Sequence, residues 1–316
     1  MGTVINVVVT ATKRRRKPVP AALQFRQLKE TDCRKAVTEW VSRLADSDAE
    51  LTTAGELYAG DQWQIARSLP DRAKKAGWKV RLWVCSSGYG LISPKASIHP
   101  YSANYSTTHL DYVVRGSKPN RFRYLQDWWS RLAKWPGPEP GQPRTIEAIA
   151  QQCPKSPLVL VASDTIIKVL EPDLLCATQR LADPNHLLLV SGGIKPSEKL
   201  QPYALPFNAR LQGLLGGSRM SLNVRTINYL LQTHVTNNLR STWTNKLLEL
   251  TQRAPEIKRY DRTAMSDEAV IRFILESLRA EPTVAWSSLL RRLRDSGYRC
   301  EQKRFAKLFK HTAPDE

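Results

Sequence analysis

The sequence predicts an α/β protein, a mixed or mostly parallel sheet flanked by helices, followed by a C-terminal helical module of winged-helix or helix-turn-helix type. Three observations predict it. Four short apolar runs each stop in small or polar residues: 7–12 (VVVTAT), 82–87 (LWVCSS), 158–164 (LVLVASD) and 187–193 (LLLVSGG). The intervening segments are long enough for crossover helices, which join parallel strands. Residues 264–316 carry helical patterns of their own. Parallel strands joined in this way converge at their C-terminal ends on a crevice where ligands bind.

The first strand runs into a basic loop, Lys13-Arg14-Arg15-Arg16-Lys17, closed by Pro18 and Pro20. A helix over 32–45 follows from the spacing of Val37, Trp40, Val41 and Leu44, and a second is expected over 63–76. The second strand, 79–84, leads into the loop Cys85-Ser86-Ser87-Gly88-Tyr89-Gly90-Leu91-Ile92. Phe122, Leu125, Trp128, Trp129 and Leu132 keep helical spacing, which makes these tryptophans core residues. The stretch 136–143 (PGPEPGQP) cannot continue a helix. It is read as the connection between two halves, 1–135 and 144–250, of a domain spanning 1–250. A further helix is expected over 222–239, then a polar linker over 251–263.

In the terminal module, 264–316, Ser266-Asp267-Glu268 caps a helix bearing Val270, Phe273, Ile274 and Leu278. Helices over 289–294 and 302–309 follow. The last sets Lys303, Arg304, Lys307 and Lys310 around Phe305, Leu308 and Phe309, a division suited to packing on one side and phosphate on the other.

The 316 residues include 48 Lys and Arg against 29 Asp and Glu, a net charge of +19. That excess points to a polyanion, and nucleic acid is favoured because cations that neutralise phosphates release condensed counterions. No membrane partner is expected, since no run approaches the roughly 18 apolar residues of a membrane span. No secretory leader is legible, so a cytoplasmic location with reduced thiols is expected. Five scattered cysteines without a CxxC pair signal neither a disulfide framework nor a zinc site. No metal and no cofactor are expected.

The blocks Leu57-Tyr58-Ala59-Gly60, Val84-Cys85-Ser86-Ser87-Gly88-Tyr89-Gly90-Leu91-Ile92 and Ile98-His99-Pro100-Tyr101-Ser102-Ala103-Asn104-Tyr105, with Ala11-Thr12-Lys13 after the first strand, resemble the YaaA-like and archaeosine-synthase-like group over the first 110 residues. In that group Cys or Ser often precedes the first-loop Ser-Lys, whereas Ala11 stands here. For members found in bacterial DNA-modification clusters, the resemblance implies action on a 7-deazaguanine base in double-stranded DNA. The nitrile of 7-cyano-7-deazaguanine would be hydrated to the carboxamide, with the base-inserting transglycosylase of the same system as a possible partner.

Nitrile hydration needs a nucleophile at carbon and a proton donor at nitrogen. Cys85 is the first candidate nucleophile, with a small buried strand residue as its competing role. Lys13 is a second nucleophile or the proton donor, with phosphate binding as its alternative. Asp164 would hold the guanine-like edge or activate water, or else cap a helix. Thr12, Ser86 and Ser87 are candidate substrate contacts, the two serines around a developing imidate. Gly192 and Gly193 would admit a flat base, and Tyr89 and Tyr105 would stack on it once it is turned out of the duplex. Asn104 and His99 are weaker candidates. Arg14, Arg15, Arg16, Lys17, Lys303, Arg304, Lys307 and Lys310 would bind DNA phosphates. A non-catalytic DNA-binding protein and a base-removing glycosylase are the competing readings.

Overall fold

The computed structural model describes residues 2–116, 119–192, 196–236, 238–256 and 261–312. The chain divides into two compact units, 1–255 and 256–316. In the first, strands β1 (Thr3–Thr10), β2 (Trp78–Ser86), β3 (Gly90–Ile92), β4 (Leu158–Val161) and β5 (Leu187–Val190) form a sheet in the order β3-β2-β1-β4-β5. All neighbours are parallel except β2 and β3. The central strands are nearly continuous apolar runs because helices cover both faces of a parallel sheet. Ile5, Val7, Val8 and Val9 are buried, as is all of β4 and β5.

Helices α1 (Cys33–Ala45) and α2 (Asp61–Ala73) lie between β1 and β2. Helix α3 (Arg121–Lys134), α4 (Ile146–Gln152) and α5 (Asp164–Arg180) follow the β2–β3 hairpin, with β4 between α4 and α5. Helices α6 (Leu222–Leu230) and α7 (Leu239–Arg253) complete the unit. Side chains supply the free N–H groups of several first turns: Asp32 accepts from Lys35 N, Asn120 from Arg123 N and Thr145 from Ala148 N. The half-buried Asp173 carboxylate accepts from Ile146 N, Glu147 N and Trp129 Nε1, tying α5 to α4 and α3.

Two elements differ from expectation. The loop after β2 returns as the antiparallel strand β3, because Ser86 to Gly90 is short enough for a tight hairpin, and Gly90 takes a positive φ of 72°. The helix expected over 222–239 ends at Leu230, and a separate one occupies Leu239–Arg253, reaching into the linker expected over 251–263. Trp243 and Leu247 bury one face of α7. The Pro/Gly stretch at 136–143 is non-helical and joins α3 to α4 inside the one unit.

The second unit holds a two-residue parallel ladder, β6 (Thr263–Ala264) with β7 (Tyr298–Arg299), and helices α8 (Asp267–Ala280), α9 (Trp286–Asp295) and α10 (Gln302–Thr312). Val270, Ile274, Leu289, Leu290, Leu293 and Phe305 form its own core. Among the described residues, no helix is long and apolar enough to cross a membrane.

Candidate functional site

Strand β1 has β2 on one side and β4 on the other, so the strand order reverses between β1 and β4, the position at which open parallel sheets hold ligands. Val9 pairs with Val161 on one side of β1, while Ala11 N donates to Cys85 O on the other. The Thr10 hydroxyl accepts from Gln62 Nε2 at 3.1 Å, and Thr12 Oγ1 donates to Ala59 O at 2.9 Å. Both contacts bring the N-terminal end of α2 to the same edge. Gly60, at φ 100°, makes the turn into that helix.

The basic loop is shaped by alternation. Arg14 and Arg15 pair with Ala59 and Tyr58 as a short antiparallel ribbon, and successive residues of an extended segment face opposite ways. Arg14 and Arg16 are therefore exposed while Arg15 turns inward, and Lys13, which precedes the ribbon, is exposed as well. Its guanidinium carbon lies 4.7 Å from the Tyr58 ring centroid and 4.6 Å from that of Tyr101. Nε donates to Tyr101 O at 3.2 Å and Nη1 to Thr12 O. Arg15, expected as a freely exposed phosphate contact, is thus held by two aromatic rings. Lys17 pairs with Glu50 at 2.7 Å.

Beneath Arg15 runs a buried hydroxyl chain. Ser86 Oγ accepts from Tyr89 N at 2.9 Å and Gly88 N at 3.3 Å; with its lone pairs engaged, it donates to Tyr101 Oη at 2.7 Å. Tyr101 Oη lies 2.9 Å from Tyr58 Oη. Burial pushes the Tyr58 phenol well above its usual range, the neighbouring Tyr101 adds to this, and Arg15 opposes it. Neither phenol is open to solvent. Tyr58, Tyr101 and the inward role of Arg15 were not singled out from sequence; the Leu-Tyr-Ala-Gly and Pro-Tyr blocks that carry the resemblance contain both tyrosines.

Cys85 is not part of this cluster. It neighbours Ser86 on β2, so its side chain points to the other face of the sheet, and it is 3% exposed. Burial and, secondarily, the Asp173 carboxylate push its thiol far up, against the thiolate a nucleophile needs. Ser87 Oγ donates to Ala103 O at 2.5 Å. Tyr89 is buried, its hydroxyl accepting from His99 N at 3.0 Å and its ring edge-on to Tyr101. Tyr105 is buried too, and its hydroxyl has no partner among the described residues. Neither ring presents a face for a base to stack on. Asn104 Oδ1 accepts from Ser106 N and holds a turn, and His99 Nδ1 lies 2.6 Å from Ala49 O.

At the ends of β4 and β5, Asp164 Oδ1 accepts from Ser191 Oγ at 2.8 Å. Asn223 of α6 bridges the two strand ends, accepting from Gly192 N at 3.0 Å and donating to Ala162 O at 2.8 Å. A Cβ at Gly192 would lie 2.9 Å from the Phe207 ring, so the space expected for a flat base is taken by this side chain. Gly193 lies outside the described residues. Of the expected set, Thr12 and Lys13 follow the end of β1, and Asp164 and Gly192 follow the ends of β4 and β5, while Cys85, Tyr89 and Tyr105 are buried in the core.

In the second unit, Lys303, Lys307 and Lys310 share an exposed face of α10 at helical spacing. Arg304 does not join them: its Nε donates to Asp267 Oδ1 at 2.6 Å and its Nη2 to Met265 O at 3.0 Å, fastening α10 to the start of α8. Residues 256–316 hold 13 Lys and Arg against 10 Asp and Glu, so +16 of the net +19 belongs to residues 1–255. Among the described residues, no group of three or more His, Cys, Asp and Glu is placed to hold a metal ion. No family model matches the chain, and comparison with curated proteins finds no significant match.

Proposed function

We propose that the chain binds DNA at the crevice above β1 and β4 and there hydrates the nitrile of a 7-cyano-7-deazaguanine base to the carboxamide, as the resemblance to DpdC-type proteins of bacterial DNA-modification clusters implies. The observation that carries the DNA-binding part is the loop 13–16. Arg15, gripped between Tyr58 and Tyr101, braces a segment whose Lys13, Arg14 and Arg16 face solvent at the crevice edge, within a unit of net charge +16. A braced cationic loop meets phosphate without first losing its own conformational freedom.

The chemistry in this reading proceeds without a thiol nucleophile. Water adds to the nitrile carbon while the nitrogen gains a proton, and the imidic acid formed tautomerises to the amide. The Asp164 carboxylate, beside Ser191, orients and deprotonates the water, and the Lys13 ammonium supplies the proton to nitrogen. The burial of Cys85 favours a second reading, a DNA-binding protein without catalysis.

The test is to incubate the protein with duplex DNA containing 7-cyano-7-deazaguanine, digest to nucleosides and look by mass spectrometry for the gain of one water. The reading requires that gain, its retention in Cys85→Ala and its loss in Lys13→Ala and Asp164→Asn. Salt-dependent binding without any gain supports the second reading instead.

A further inference from the structure

Among the described residues Leu110 is the most exposed large apolar side chain, at 77%. It is the second residue of the turn His109–Tyr112, in a loop closed by its own hydrogen bonds. Asn104 N donates to Asp111 O at 2.8 Å, Val113 N to Asn104 O at 3.0 Å, Tyr112 N to His109 O at 3.1 Å and His109 N to Ser106 O at 3.1 Å. Asp111 N also donates to His109 Nδ1 at 3.0 Å. The Asp111 side chain, next in sequence, is buried and anchors the loop: it accepts from Arg26 N at 2.9 Å, Arg26 Nη1 at 3.3 Å and Ser102 Oγ at 2.6 Å. Ser102 directly follows Tyr101, so the turn is rigidly referenced to the residue that braces Arg15.

The surroundings are cationic. Burial lowers the His109 pKa; the charges of Lys13, Arg15 and Arg26 act in the same direction, against Asp111. A lone exposed leucine is ordinary on a protein surface. A leucine held in a braced turn beside a phosphate-binding segment has the form of the apolar wedges that enter base steps and part them.

We propose that Leu110 enters the base stack of duplex DNA while Lys13, Arg14 and Arg16 hold the adjoining phosphates, filling the gap from which a nucleotide is turned toward the crevice. This rests on the reading of the chain as a DNA-modifying enzyme and adds the form of substrate it takes: a duplex, opened by the protein itself.

The experiment uses the full chain and duplexes carrying 2-aminopurine beside 7-cyano-7-deazaguanine, whose fluorescence rises when neighbouring bases unstack. The wild-type chain should raise that fluorescence, Leu110→Ala should abolish most of the rise, and Leu110→Phe should restore it. The ratio of duplex to single-strand hydration should fall about tenfold in Leu110→Ala, the scale of a wedge that offsets part of the unstacking cost. An undiminished rise in Leu110→Ala overturns the wedge, as does hydration confined to single strands, and both leave the hydratase reading in place. A Leu110-dependent rise with no hydration supports the wedge and overturns the hydratase reading. No rise and no hydration with the wild-type chain overturns both.

Discussion

The Arg15 guanidinium lies over the Tyr101 ring at 4.6 Å and also donates to the Tyr101 carbonyl at 3.2 Å, so one residue of the basic loop is held by both the side chain and the backbone of another 86 positions away. This relationship converts a run of five cations into an ordered segment. It also makes the orientation of the exposed cations depend on the tyrosine pair beneath them.

Removing the Tyr101 hydroxyl should therefore cost stability while leaving the ring in place. Tyr101→Phe removes the acceptor of the Ser86 O–H and the hydroxyl beside Tyr58 Oη, and a buried donor or acceptor left unsatisfied costs about 1–3 kcal/mol. Urea unfolding should show a lower midpoint with an unchanged m-value.

Gly88 is required by the same ring. A Cβ there would lie 2.6 Å from the Tyr101 ring and 3.2 Å from Trp40. Both rings are buried, and Trp40 Nε1 already donates to Gly88 O. Gly88→Ala should destabilise by about 1–3 kcal/mol, as overpacked cores do. Its effect should persist in a Tyr101→Phe background, because the ring that the Cβ meets remains.

Phosphate contacts are checked by salt dependence. Each of Lys13→Ala, Arg14→Ala and Arg16→Ala should reduce the slope of log binding constant against log salt by about 0.9 on duplex DNA, with little change in melting temperature. Arg304→Ala, which breaks the ties to Asp267 and Met265, should instead lower the melting temperature slightly and leave the salt slope unchanged. Fluorescence anisotropy and thermal unfolding on the same variants separate the two behaviours.

Thiol chemistry should divide the cysteines by burial. Iodoacetamide at pH 8 should label the exposed Cys176 in the native protein and reach Cys85 only after denaturation, as peptide mapping would show.

The buried thiols also set a pH dependence. Burial, with help from Asp127, pushes Cys33 from 9.0 up to about 12, and Cys85 is raised as well. A folded-state pKa above the unfolded one means that the native state keeps its proton where the unfolded chain has lost it. The associated stability is complete below pH 9 and declines as pH rises toward 12. Replacing Cys33 with Ala should flatten that decline, measured as unfolding free energy from pH 8 to 11.

Much of the architecture was legible in local pattern. The apolar runs at 7–9, 158–161 and 187–190 suit strands covered on both faces, being short, rich in branched residues and ended by small or polar ones, and the spacing of Trp128, Trp129 and Leu132 makes a helix. The antiparallel return at Gly90–Ile92 was missed because three residues are too few to show a period, and the break at Leu231 because no Pro or Gly marks it.

By itself, the sequence determined the strands, the main helices, the excess of positive charge and the cluster of cations after the first strand, all of which follow from residue type and short-range spacing. Only the tertiary structure decided which side chains share the crevice. Cys85 and Ser86 are adjacent in sequence, but the strand sends one toward Asp173 and the other to Tyr101. Arg15 differs from Arg14 and Arg16 only in having Tyr58 and Tyr101 within reach. Gly192 faces Phe207, a partner that no local pattern names. A side chain's chemistry depends on its neighbours across the fold, and those are set by how strands and helices pack.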